Sequence, residues 1–371
     1  MKMIKATLNS LPPEAQRVLE LFPEFQLQHF NDSGANGYVL LGQHQVLKQD
    51  VAIKIYFHDI KEVQEEPALL ASISHENVLK VLDARRLGDE CSFFMTPVAN
   101  YGDLRKYLNE YNLSLSLAHS LLCQLLSGLA ALHAEPNRLV HRDVKPENLL
   151  VHDDKLLIAD FGSVRRVSEA TGKASASKHS ILFRPPETFG PEPYFDYSSD
   201  TYQAGLIGYL LLGGQLDNNL EGYLNSREKR QLMRLNGDRV EEAMFVDACI
   251  GRRVCSGKLL DWDTVPCFVP KRFVTTLRRA TTKSGSKYSK VSEFLAELQR
   301  FRATMPDWMA TAAGWCLDNW NGRDYLVTVH ENPVRVMKRK HGNEKWISDN
   351  KFGGNSHDEV YAQLSRQIGL P

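Results

Sequence analysis

The sequence predicts an α+β protein of two lobes with a cleft between them, strand-rich first and helical second, followed by a small α+β module. Three observations predict it. Residues from Phe25 to Phe57 alternate and are β-branched in places (FQLQHF, GYVLLG, VAIKIYF), broken by the turn-rich NDSGANG, which is the pattern of three antiparallel strands. From Ser116 to Ala134 the text SLAHSLLCQLLSGLAALHA repeats apolar residues every three or four positions, the period of a helix. The pattern changes character near residues 30, 100 and 305, so 371 residues divide into two or three folded units.

In chain order, PEAQRVLELF behind Pro12 and Pro13 is a short helix with Val18, Leu19 and Phe22 on one face, a helical extension over residues 1–24. A further helix is expected after the third strand. LVHRD and KLLIADFG are short strands around a loop. Gln215 to Pro270 is unassigned, an insertion placed to shape the substrate side. In residues 303–371, DYLVTV and VRVMKRK form a strand pair around ENP, SHDEVYAQLSRQIG is a helical tail, and four tryptophans (Trp308, Trp315, Trp320, Trp346) are spread through the module.

Composition excludes several classes. With 43% hydrophobic residues the chain is neither disordered nor collagen-like. Forty-five Lys plus Arg balance forty-five Asp plus Glu, so nucleic-acid or membrane affinity would need a local basic patch. Arg335, Lys338, Arg339, Lys340 and Lys345 form one such cluster, a docking face for an acidic partner or nucleic acid or else a solvated hairpin edge, and the last is the expectation, with no nucleic-acid partner. The six cysteines include no CxxC pair, which excludes a zinc ribbon and a thioredoxin-like site and points to reduced, packing thiols. No apolar segment opens the chain, and the longest apolar stretch, Ala204 to Gly214, is far short of the roughly 20 residues of a membrane helix. A soluble, cytoplasmic protein with no membrane partner is expected.

The chemistry concentrates in HRDVKPENLL, His141 to Leu150, and in DFG at Asp160, Phe161 and Gly162. Asp143, Lys145 and Asn148 in one loop, with an Asp before a Gly, are the groups needed to hold a nucleophilic hydroxyl, neutralise a transferring phosphate and ligate Mg²⁺. In this order the motifs resemble those of the eukaryotic-type serine/threonine protein kinases. The resemblance covers residues 25–302, an N-lobe over 25–99 and a C-lobe over 100–302, and fails in the last module.

The resemblance implies the kinase fold, ATP and Mg²⁺ (or Mn²⁺) as cofactors, protein substrates, and transfer of the γ-phosphate of ATP to Ser or Thr hydroxyls. It makes Asp143 the residue that orients the substrate hydroxyl and takes its proton, Lys145 the group that steadies the γ-phosphate, and Asn148 and Asp160 the metal ligands. VAIK places Ala52 and Lys54 at the nucleotide, Lys54 on its α and β phosphates. The partner of Lys54 is then Glu66, with Glu65 as the alternative, and Pro67 makes that helix begin late or kink. In DSGANGYV, Gly34, Gly37 and Val39 match the phosphate-covering loop, while Asp32 stands where its first glycine is expected. Aligned on Gly102, Thr96 falls at the gatekeeper position, Pro97, Val98 and Ala99 along adenine, and Asp103 near the ribose.

Beyond DFG, the segment ending in RPPE at Glu187 resembles an activation segment. Ser175 and Ser177 are its candidates for activating phosphorylation, with Arg142 as the clamp for the added phosphate, and Ser180 is expected to contact the catalytic Asp. Asp200 is expected to hold the catalytic loop, and Lys287 to pair with Glu187. Two other readings remain open: a pseudokinase-like nucleotide-binding scaffold acting through its C-terminal module, motivated by Asp32 and Pro67, and a small-molecule kinase, against which the RPPE segment argues.

Overall fold

The computed structural model describes residues 11–34, 37–57, 66–88, 91–175, 180–235, 237–282, 288–328 and 333–370. It divides into two compact units, Met1–Leu104 with Glu147–Val164, and Arg105–Pro146 with Arg165–Pro371.

The first unit is built on a five-stranded sheet. The strands are β1 (Phe25–Gly34), β2 (Gly37–His44), β3 (Gln49–Phe57), β4 (Asp83–Arg86) and β5 (Cys91–Pro97), in the order β1-β2-β3-β5-β4. Every pairing is antiparallel, so alternate residues serve opposite faces. On one face Leu40, Val51, Ile53, Ile55, Phe93 and Met95 share a core with helix α1 (Pro13–Leu21), which buries Ala15, Val18 and Leu19. The N-terminal extension is thus a packing helix that belongs to this core, with Phe22 edge-on to Phe93 at 5.6 Å.

The opposite face carries Val39, Ala52, Lys54 and Thr96, because cross-strand partners share a face and the register pairs Val39 with Lys54 and Ala52 with Thr96. Helix α2 (Glu66–Ser72) opens at Glu66, so Pro67 sits in the first turn, where a missing N–H leaves no intrahelical bond unmade. A further hairpin, β7 (Leu149–His152) and β8 (Lys155–Ile158), completes the unit.

The second unit is helical at its centre. Its elements are α3 (Leu104–Glu110, beginning at the unit boundary), α4 (Leu115–His133), the two-residue strands β6 (Leu139–Val140), β9 (Arg165–Arg166), β10 (Ala174–Ser175) and β11 (Tyr194–Phe195), and α5 (Tyr197–Leu211). The stretch unassigned in the sequence holds α6 (Ser226–Met233) and α7 (Arg239–Cys255), and α8 (Lys271–Ala280) and α9 (Val291–Gln299) follow. Every residue of α5 from Ser199 to Leu211 is buried. Gly208 permits this: a Cβ there would lie 2.6 Å from the Leu277 side chain of α8. By length and composition α4 alone among the described helices could cross a membrane, yet it buries Leu121, Leu122, Leu125, Leu126, Leu129 and Leu132 against protein.

The last module contains more sheet than the expected strand pair. β12 (Asp307–Ala310), β13 (Gly314–Trp320), β14 (Arg323–Thr328), β15 (Val334–Lys340) and β16 (Ile347–Gly354) form an antiparallel meander, with α10 (His357–Ile368) packed on β15 and β16. It is joined to the helices rather than appended to them. Asp307 accepts hydrogen bonds from the Ser116 backbone N–H (2.9 Å) and hydroxyl (2.7 Å) at the start of α4, and Met309 bridges Ser114. Phe268 packs with tilted rings against the fully buried Trp308 at 4.6 Å and Trp315 at 5.0 Å, and meets Tyr361 edge-on at 5.4 Å. Within the basic cluster, Lys338 pairs with Asp349 at 2.8 Å and Arg339 with Asp324 at 2.7 Å, so two of the five cations are neutralised inside the sheet.

Candidate active site

In the first unit, Lys54 projects from β3 between the inward-facing Ile53 and Ile55, and its Nζ donates to Asp160 Oδ1 at 3.4 Å. Both side chains are substantially exposed, so the pair is electrostatically soft and open to exchange for an anionic ligand. Asp160 adopts the left-handed conformation (φ 57°) just before a 3₁₀ turn over Phe161–Ser163, where the extended course of β8 ends. Two ties hold that corner. Ala159 N–H donates to the Asn148 carbonyl at 3.0 Å, and Ile158 N–H to the Asn77 carbonyl at 2.8 Å, with Asn77 returning its amide to Leu156. Asn148 and Asp160 therefore share one backbone-linked corner of this unit, and they offer an amide and a carboxylate oxygen, the hard donors that suit Mg²⁺.

Gly34 pairs with Gly37 across the β1/β2 turn, whose tip (Ala35 and Asn36) lies outside the described residues. Gly37 has a packing reason to lack a side chain: a Cβ would fall 2.0 Å from the Ile55 carbonyl oxygen of β3. Asp32 is exposed on β1. The side chain of Glu66 lies outside the described structure, as does Glu65, so the described acidic partner of Lys54 is Asp160.

At the end of β5 the strand pairing sorts the backbone directions of the residues expected along adenine. Met95 C=O accepts from Leu82 N–H at 2.8 Å on the β4 side, and Val98 N–H donates to Asp50 C=O at 3.0 Å on the β3 side. By alternation Pro97 and Ala99 turn their backbone groups away from β3, past the point where β4 pairing ends. The missing N–H of Pro97 thus costs no ladder bond. Val98, assigned to the adenine edge by the sequence, has its N–H committed to β3. Asp103 bridges Leu150 of β7.

In the second unit, Asp143 is buried on a loop fixed by its backbone, and Lys145 Nζ donates to Asp143 Oδ2 at 2.7 Å. Asp200, wholly buried on α5, accepts the backbone N–H of His141 (2.8 Å) and of Arg142 (2.9 Å) as well as His133 Nε2 (2.8 Å). Burial pushes its carboxyl up, but the bonds and charge of His133, with those of His141, outweigh this and hold it below the usual carboxylate range. Arg142 sits in the left-handed region (φ 69°), a strained setting that these bonds over-determine. Its Nη1 donates to the Ser175 carbonyl at 2.5 Å and lies 3.4 Å from the Ser175 hydroxyl. Burial, and after it the charge of Arg165, pull the Arg142 guanidinium down to about 10, which leaves it cationic at neutral pH. Ser175 is set in β10 opposite Tyr194.

Other expected contacts differ or fall elsewhere. Ser177 and Lys287 lie outside the described residues. Ser180 is exposed at the head of the 3₁₀ turn Ile181–Phe183, and its hydroxyl makes no hydrogen bond to Asp143 among the described residues, because that turn directs it to solvent. Glu187 accepts a short hydrogen bond from the Ser199 hydroxyl at the start of α5. Sequence reasoning missed His133 and Gln203. Gln203 carried a signal, since it follows Asp200 by three residues and so shares its helical face.

A lysine on a central strand, an Asn and Asp at one corner, and an Asp–Lys pair on a clamped loop define a phosphoryl-transfer domain. Residues 32–243 match the family model described as protein kinase domain, and the chain belongs to that family. It is similar to the serine/threonine-protein kinase pkn2 of Myxococcus xanthus, with 31% identity over 199 residues, 50% of this chain and 24% of that protein. It is also similar to the serine/threonine-protein kinase TIO of Arabidopsis thaliana, with 30% identity over 190 residues, 49% of this chain and 14% of that protein. The chain thus spans less than a quarter of the length of either relative.

Proposed function

We propose that this chain is an ATP- and Mg²⁺-dependent serine/threonine protein kinase that phosphorylates its own activation segment. The observation that carries the reading is the buried Asp143 paired with Lys145 at 2.7 Å on a loop clamped by Asp200. In the reaction a Ser or Thr hydroxyl oxygen bonds to the γ-phosphorus, the bond from that phosphorus to the β–γ bridging oxygen breaks, ADP leaves, and Asp143 takes the hydroxyl proton. Lys145 offsets charge on the phosphoryl oxygens, and Lys54 meets the α and β phosphates once it exchanges Asp160. Asn148 and Asp160 would hold the divalent ion, which supplies charge neutralisation to the phosphates.

Ser175 and Ser177 are the proposed acceptor sites, Ser175 because the Arg142 guanidinium already reaches it, where a phosphate would gain charge-assisted bonds. Protein substrates follow from the reaction. A cytoplasmic setting is supported by six free cysteines, which suit a reducing compartment. Of the two motives for a non-catalytic scaffold, Pro67 is accommodated in the first turn of α2, and no observation favours that alternative.

The test is incubation of wild type and Asp143→Asn with γ-labelled ATP and Mg²⁺, followed by mapping of the label. Label on Ser175 or Ser177 in wild type alone is expected. Tight ATP binding without transfer to itself or to a generic basic substrate would overturn the reading.

A further inference from the structure

Asp200 fixes the catalytic loop upstream of Asp143, through the N–H groups of His141 and Arg142, and does not reach the two peptide groups that flank Asp143 itself. A different side chain does. Gln203, fully buried on α5, accepts from Val144 N–H at 3.0 Å and donates through Nε2 to Arg142 C=O at 3.0 Å. Arg142 C=O belongs to the peptide plane before Asp143, and Val144 N–H to the plane after it. Because each plane is rigid, one amide thereby restrains both φ and ψ of Asp143. The same Nε2 also donates to Phe183 C=O at 3.0 Å, at the end of the 3₁₀ turn that leads into RPPE.

We propose that Gln203 is a positioning residue for phosphoryl transfer: it sets the orientation of Asp143 and couples it to the Ile181–Phe183 turn of the activation segment. The inference rests on the kinase reading above. Three good hydrogen bonds from one buried amide are the reason a polar side chain is kept where α5 is otherwise packed, since an apolar residue of the same length would fill the space but leave these three backbone groups without it. A change in the Ile181–Phe183 turn on docking of a peptide would be transmitted to Asp143 through a single rigid group.

The test compares full-length wild type, Gln203→Met, Gln203→Glu, Asp143→Asn and the double variant Asp143→Asn/Gln203→Met, with myelin basic protein as acceptor. Gln203→Met keeps the length and removes all three bonds. The expected result is a fall in kcat of roughly ten- to hundredfold, the scale of a small misplacement of a reacting group, with ATP affinity unchanged and melting still above the assay temperature. In the Asp143→Asn background the same change should cost no more than about twofold, because residues acting as one unit are not additive.

Gln203→Glu retains the acceptor for Val144 but sets an oxygen against two carbonyls. It is expected to be at least as slow as Gln203→Met, and it decides the question if the methionine variant does not fold. Single variants within threefold of wild type, or losses that multiply in the double variant, would overturn the proposal while leaving the kinase reading intact. Absence of transfer by wild type itself would overturn both.

Discussion

Replacing Trp308 by Ala tests whether the C-terminal sheet completes the helical unit or merely follows it. Trp308 is fully buried, packed against the tilted ring of Phe268 at 4.6 Å with Tyr361 at its edge, and its neighbour Asp307 holds the first turn of α4. A buried Trp hides roughly 200 Å². At about 25 cal/mol per Å² this is worth at most ~5 kcal/mol, and measured large-to-small changes of this kind cost about 3–5 kcal/mol. Taking ~4 kcal/mol, and an unfolding entropy of about 2.1 cal/mol/K per residue over 371 residues, Tm should fall by roughly 5 °C. The assay is thermal unfolding by circular dichroism, together with hydrogen exchange of the amides of residues 115–133. If the sheet is integral, a single transition moves and α4 loses protection in step. Met309→Ala, one residue on and 38% exposed, should shift stability by less than about 0.5 kcal/mol. A small early transition confined to the sheet, with α4 protection as in wild type, would refute the reasoning.

Two further outcomes are expected. Gly37→Ala places a Cβ 2.0 Å from the Ile55 carbonyl oxygen, so β2 must draw away from β3 at a cost of about 1–3 kcal/mol. Since this disturbs the Val39 to Lys54 register, ATP titration should show weaker binding as well as a lower Tm, and unchanged ATP affinity would contradict the role given to that turn. Glu228, hydrogen-bonded chiefly to Arg253 at 2.6 Å, has its carboxyl held down at about 2. A depressed folded value stabilises above the ordinary value near 4.5 and loses that contribution as pH falls through 2. Glu228→Gln should therefore cost about 1–3 kcal/mol at pH 7, with the gap to wild type closing between pH 4.5 and 2. A gap independent of pH would show that the carboxylate charge is not the source.

The candidate site residues are legible in the sequence because phosphoryl-transfer chemistry fixes residue type and spacing together: Asp143, Lys145, Asn148 and Asp160 stand in the order that reaction needs. The strands from Phe25 to Phe57 were legible from alternation, since the α1 side of that sheet is buried and the Lys54 side is less so. The meander at the end of the chain was not. DWMA has only four residues, GWCLDNW breaks its register between Leu317 and Trp320, and β16 pairs irregularly with β15, so none presents a sustained period of two. The commitment of Val98 N–H depends on strand register, which residue types do not encode. Gln203 was overlooked because its work is done by a side-chain amide on backbone groups, with no charge to mark it.

The end of β5 has a consequence for inhibitor chemistry. Pro97 brings no N–H, Val98 spends its own on Asp50, and the Ala99 carbonyl is taken by Gly102 at 3.1 Å. Among the described residues, the Pro97 carbonyl and the Ala99 N–H carry no hydrogen bond along that edge, and the Ala99 carbonyl keeps a second lone pair. A heteroaromatic inhibitor directed there should carry a single matched donor–acceptor pair at that two-residue spacing. Scaffolds whose third contact needs a further backbone donor from Pro97 or Val98 should lose affinity relative to those that place their remaining polar groups elsewhere.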